Sequence, residues 1–210
     1  MEIRSALSIF LTCLLLTACA PAIYTQKVET NIEPIRDLSI AIWMGSIGTH
    51  QIYASEKYQY RNQFKAALEN RFPKVFEANG IPVKSTIVMD GEIVAKPTSS
   101  MLLSNIKTSH VLILNPKSVS FEARAGVKTS AAIVHFDADL WDVNKRTIVW
   151  KARPYLILLD NKPLYGANSM AAQLLNGMNK DGINKLKTES AIDLFGKPIS
   201  GKLIFENDDK

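Results

Sequence analysis

Cysteine is nearly absent from this chain: 210 residues contain only Cys13 and Cys19. No H-E-x-x-H or C-x-x-C motif occurs, and three histidines (His50, His110, His135) leave a metal few partners. The sequence therefore points to no metal and no cofactor. Long apolar runs are missing too. A transmembrane helix needs about 20 such residues, and "ALSIFLTCLLL" at 6–16 and "YLILL" at 155–159 are both shorter. Basic residues are scattered, with no run of five and no recognised nucleic-acid-binding motif, which argues against a nucleic-acid partner. The 25 Lys and Arg against 20 Asp and Glu give a net charge of +5, a mild bias toward anionic surroundings such as lipid headgroups. With 47% hydrophobic residues, a chain of this length suits one domain with a sizeable core.

The two cysteines sit in an informative place. Residues 1–18 have the layout of a secretion signal: Arg4 in a short leading region, the apolar run from Ala6 to Leu16, then small residues. Cys13 lies inside the apolar run and would leave with it. Cys19 would then be the only thiol, with no partner for an internal disulfide. The core alone must hold such a domain. Leu16-Thr17-Ala18-Cys19 resembles the lipobox of bacterial lipoproteins. That resemblance implies a diacylglycerol on the Cys19 sulfur, cleavage before Cys19 and acylation of the new amine, so that the chain is anchored to a membrane by its N-terminal acyl chains. Ala20, rather than Asp, follows the cysteine. By the sorting rules of enteric-type bacteria this implies the outer membrane, with the domain on its periplasmic face.

Residues 19–37 hold two prolines and no sustained periodicity, and read as a lipidated N-terminus and tether. A single globular domain is expected over 38–205, with 206–210 as an acidic tail. "LSIAIWM" at 38–44 reads as a buried strand. Phe64, Ala67, Leu68, Phe72, Val75 and Phe76 form the stripe of an amphipathic helix over 56–78, interrupted at Pro73. A second strand region spans 81–94, and a short helix is expected over 97–107, capped by Thr98 or Ser99. "HVLILN" at 110–115 is a third strand, ended by Pro116, and "SVSFEARAG" can add a short one. In residues 133–141, Val134, Phe136, Ala138 and Leu140 alternate with His135, Asp137, Asp139 and Trp141, the period of a half-buried strand. Asn144-Lys145-Arg146 reads as a hairpin loop. Leu140 then faces Trp150 and Ala138 faces Ala152, while Asp139 faces Lys151 and Asp137 faces Arg153. A last helix is capped by Ser169, and "GKLIF" at 201–205 is a candidate edge strand. The expected fold class is α/β (α+β): a single mixed sheet with a long hairpin, packed by two longer helices and one short one.

Three groups could carry function. Ser46 in "GSIGTH", with His50, stands in the loop after the first strand, where α/β sheets place ligands. Its order is not the G-x-S-x-G of a nucleophile elbow, and a plain connection is the competing reading. His135 and Asp137 share a strand face at a spacing that could hold a metal, yet basic cross-strand neighbours make a solvated charge ladder the favoured reading of Asp137 and Asp139. Trp141 falls on the polar face and is a candidate exposed contact beside Asp139, Lys151 and Arg153.

"LSIAIWM" before a helix, "SNIKTSHVLIL" before a strand and "ADLWDVNKRTIVWKA" together resemble the fold shared by penicillin-binding-protein activator lipoproteins, the curli-secretion lipoprotein family and the N-terminal domain of the Tol–Pal β-propeller protein. Asn144-Lys145-Arg146 departs from it where a Thr-Gly turn is expected. The resemblance implies a non-enzymatic binding or assembly role with an envelope protein partner. The expected function is a lipid-anchored, periplasm-facing accessory module whose candidate contacts are Trp141, Asp139, Lys151, Arg153, Ser46 and His50. The alternatives are a small envelope hydrolase using Ser46/His50 or a metal at His135/Asp137, and a structural lipoprotein that oligomerises.

Overall fold

The alternating apolar runs of the sequence become strands of one mixed sheet. A computed structural model describes residues 23–44, 57–89, 106–122, 131–158 and 163–184. Its strands are β1 (Tyr24–Lys27), β2 (Leu38–Trp43), β3 (Val83–Met89), β4 (His110–Glu122), β5 (Ala131–Asp142), β6 (Thr147–Arg153) and β7 (Tyr155–Leu158). The helices are α1 (Lys57–Asn70), α2 (Phe72–Ala78) and α3 (Pro163–Lys180). The expected α+β class, with a single mixed sheet, is what the structure shows. Among the described residues, no helix is long and apolar enough to cross a membrane.

The strands lie in the order β1-β6-β5-β4-β2-β3, and β7 pairs with the first half of β5. β2 runs parallel to both β3 and β4, and every other pairing is antiparallel. Side chains on a strand alternate between faces, so Leu38, Ile40 and Ile42 of β2, Leu112 and Leu114 of β4, and Phe136, Ala138 and Leu140 of β5 all point one way. They meet Phe64 and Leu68 of α1, Phe72 and Phe76 of α2, and Met170, Leu174 and Met178 of α3 in one buried core. Trp150 of β6 lies fully buried within it.

The β5–β6 hairpin keeps the expected side-chain partners, with Leu140 opposite Trp150, Asp139 opposite Lys151 and Ala138 opposite Ala152. Its loop is one residue longer than expected. Asp142 pairs with Thr147, and the register shifts by one between Leu140 and Trp141. Two local features set that turn: the Asp142 carboxylate accepts the Lys145 N–H at 3.0 Å, and Arg146 takes a left-handed φ of 56°.

Three expectations change. β4 does not stop at Pro116; it runs to Glu122, with the missing proline N–H absorbed by a register shift between Pro116 and Ser118. The segment read as a short added strand is the second half of β4. α3 starts at Pro163, ahead of Ser169, because a proline fits the first turn of a helix, Tyr165 is buried, and Ala167 and Met170 join the main core. Residues 24–27, within the stretch read as tether, form β1 and pair with β6. The helix over 56–78 divides at Arg71, and Pro73 occupies the first turn of α2. The signal expected at 1–18, Cys19, Ser46, His50, the 90–94 part of the second strand region, the 97–105 part of the short helix with its caps, the strand expected at 201–205 and the tail at 206–210 fall outside the described residues.

Candidate interaction surface

The sheet face opposite the helices carries two patches built from the other half of each strand alternation. Ala41, Val111 and Ile113 are buried there, with Met89, Ile106, Trp141 and Val143 packed against them. Beside this apolar patch, toward β1, runs a row of charges.

In that row Arg153 Nε lies 3.4 Å from Asp137 Oδ1, Lys117 Nζ lies 3.7 Å from the same oxygen, and Lys151 Nζ lies 3.9 Å from Asp139 Oδ1. The Arg153 guanidinium also sits 5.0 Å from the centre of the Tyr24 ring on β1. The hairpin register and the β1–β6 pairing bring these groups together, so the row is a product of strand alternation. Exposed ion pairs of this kind contribute little to stability. What they provide is a patterned polar surface of two cations around one carboxylate, next to an exposed tyrosine.

Trp141 sits at the border between the patches, opposite Val111 and packed on the apolar one. Its indole N–H is shielded from solvent and finds no acceptor among the described residues. Its ring thus adds to the small cluster, and Asp139, Lys151 and Arg153 carry most of the polar surface. His135 and Asp137 are each engaged elsewhere. His135 Nε2 is 3.2 Å from Ser120 Oγ, and its ring lies 6.3 Å from that of Tyr155. Among the described residues no three His, Cys, Asp or Glu side chains gather as a metal site would require.

Sequence reading missed a second polar cluster, at the start of β2 and β4. Leu38 pairs with His110, which sets Asp37 beside Ser109. The Ser109 N–H donates to Asp37 Oδ1 at 2.7 Å, and the Ser109 hydroxyl donates to the Asp37 carbonyl at 2.8 Å. Thr108 Oγ1 and Ser85 Oγ each reach Ser39 Oγ at 2.9 Å. His110 Nδ1 is 3.1 Å from Ser109 Oγ, a separation that resembles a nucleophile and its base. The hydrogen-bond pattern assigns the opposite roles: the hydroxyl proton is already given to Asp37, so Nδ1–H donates to the oxygen. Nε2 is then a buried acceptor with no partner among the described residues. No spacing in the sequence marks this cluster, because parallel pairing brings its two halves from 72 residues apart.

Burial pushes the His110 pKa below its ordinary 6.5, against an opposing pull from Asp142 across the β4–β5 pair and from Glu33 and Asp37; Lys145 adds to the lowering. A histidine held neutral by the fold stabilises fully above its unfolded pKa, and that contribution declines as pH falls below 6.5. Asp37, held below 3.8 chiefly by the Ser109 N–H, acts in the same direction at lower pH. The melting temperature should therefore fall between pH 7.5 and pH 5, and His110→Gln should flatten the decline. Thermal melts across that range check this; an equal decline in both proteins would sink it.

Neither a protein-family model nor a curated protein matches the sequence. Solved structures do match it. A PelC dodecamer from Paraburkholderia phytofirmans aligns at 12% identity and a TM-score of 0.40, covering 74% of this chain and 95% of that one. Lipoprotein GNA1162 from Neisseria meningitidis aligns at 15% identity and a TM-score of 0.35, covering 59% of this chain and 85% of that one. Protein XCC0632 from Xanthomonas campestris aligns at 13% identity and a TM-score of 0.37, covering 76% of this chain and 90% of that one.

Proposed function

We propose that this chain is a lipid-anchored binding module of the bacterial cell envelope, an accessory or assembly factor without enzymatic activity, facing the periplasm from the outer membrane. The observation that carries the reading is Leu16-Thr17-Ala18-Cys19 at the end of a short apolar run, with no second cysteine left in the mature chain. The paired Asp137–Arg153 and Asp139–Lys151 ladder supports a docking surface over a metal site, because each carboxylate already has a cation. The module would act by tethering. Its acyl chains raise the local concentration of the domain at the membrane, and the charged row docks an envelope protein.

Cys19→Ala tests the anchor. Acyl labelling should vanish, with the protein released to the soluble periplasmic fraction or left unprocessed, and unchanged labelling would refute the reading. Docking is tested by cross-linking in intact cells followed by affinity capture from membranes. Asp137→Arg combined with Arg153→Glu should reduce the captured partner at least threefold. Equal capture by both chains would remove the charged row from the proposal.

A further inference from the structure

We propose that His110 and Asp142 form an acid-sensitive switch, in which a proton on His110 draws the Asp142 carboxylate away from Lys145 and frees the 143–146 turn. The two residues face each other across β4 and β5. The Val143 N–H donates to the Ser109 carbonyl at 3.0 Å beside them. That bond makes His110 and Asp142 the closely spaced kind of antiparallel pair, with Cα atoms about 4.5 Å apart. Both are nearly sealed from solvent, at 1% and 3% exposure. His110 directs Nδ1–H at Ser109 Oγ, and Nε2 has no partner among the described residues. A proton added at Nε2 therefore creates a buried cationic donor with no acceptor in place.

The charged groups facing His110 are Asp142 on β5, Glu33 and Asp37 on the segment between β1 and β2, and Lys145 in the turn. Asp142 acts on it most strongly, and Asp142 is already in use. Its Oδ1 accepts the Lys145 N–H at 3.0 Å, and its Oδ2 lies 3.6 Å from Lys145 Nζ. Lys145 has a second anion, Glu29, at 3.3 Å. Protonation of His110 thus sets two cations against each other over one buried carboxylate. His110 is fixed within β4, whereas Lys145 is exposed and keeps Glu29, so Lys145 yields. The turn then loses the carboxylate that holds it, next to Arg146 in its left-handed conformation. Burial holds His110 below its ordinary 6.5, so the switch operates below pH 6.5 and is off at neutrality. What acid changes is a local loop carrying Lys145 and Arg146, while the sheet stays whole.

NMR on residues 19–210 between pH 7.5 and pH 5 tests this. The His110 ring carbons report its protonation. The Lys145 amide reports the turn, through its exchange protection relative to an unstructured chain at the same pH. That protection should fall at least threefold with the same midpoint as His110, while the Val143 amide, bonded to Ser109, keeps its own. An equal fall at both amides means that the end of the sheet melts as a whole, and overturns the switch. So does a Lys145 amide that stays protected once His110 is charged, or a His110 that stays neutral down to pH 5. Asp142→Asn keeps an oxygen for the Lys145 N–H and removes the charge for which the two cations compete. In that variant the His110 midpoint should drop further, and the Lys145 amide should stop following it. An unchanged midpoint or an unchanged Lys145 response overturns the proposal as well.

Discussion

Trp150→Ala should cost about 3–5 kcal/mol of folding stability, the usual range for removing a large aromatic side chain from a packed core. For a chain of this size that lowers the melting temperature by roughly 10 °C. The reason is the position of the ring. Trp150 is fully buried where β6 meets α3, opposite Leu140, and its indole N–H donates to Asp181 Oδ2 at 2.6 Å just beyond the end of the helix. Its ring also borders Gly177 of α3. The deletion thus leaves a cavity between sheet and helix and strands a carboxylate. Trp150→Phe separates the two terms. It keeps most of the apolar area and loses the hydrogen bond, so it should cost about 1–3 kcal/mol. Denaturant melts of the chain lacking residues 1–18 measure both, and a loss under 1 kcal/mol for the alanine variant would show that Trp150 does not join the two layers.

Gly166→Ala should destabilise by about 1–3 kcal/mol even though alanine is the better helix former by about 1 kcal/mol. A methyl group at Gly166 would lie 2.6 Å from the Ile157 carbonyl oxygen, 2.9 Å from Leu156 Cδ1 and 3.1 Å from Phe64 Cε1. The nearest obstacle is backbone, which cannot rotate aside. The first turn of α3 must therefore lift off β7, or β7 must part from β5. At Gly177 the nearest atom is Thr25 Cγ2, at 2.7 Å, a side chain on the edge strand. Gly177→Ala should therefore disturb β1 first and cost less. The same melts compare the two. Gly166→Ala as stable as the parent would contradict the close approach of α3 to β7.

The central hairpin was readable because both of its faces constrain it. Only one register puts Leu140 on Trp150 and Asp139 on Lys151 together, and a slip of one residue would bury the charges. β1 had no such double constraint. It is four residues long and largely exposed, and its partner β6 lies more than 120 residues further along the chain, so nothing local marks it as a strand. The start of α3 was hidden for a different reason. Gly166 and Asn168 are weak helix formers, and their positions are set by close packing, which propensity does not describe. Of the polar surface, the Asp137–Arg153 and Asp139–Lys151 pairs followed from strand alternation alone. Tyr24 could not be placed beside them without β1, nor Lys117 without the passage of β4 through Pro116. The Asp37–Ser109–His110 cluster depends on parallel pairing of distant strands, which leaves no periodic trace.

The placement of β1 also sets an order of events for the folding chain. β1 is among the first parts of the domain to be synthesised, yet its partner among the described residues, β6, comes after the whole β2–β5 set. Non-local pairing of this kind is slow, because a long loop must close before any contact rewards it. β1 is therefore among the last strands to gain its ladder. Until then, no ladder holds residues 24–27. When β1 zips onto β6, the stretch before Leu38 is pinned to the sheet edge, and the domain's described boundary moves from β2 back to Ile23.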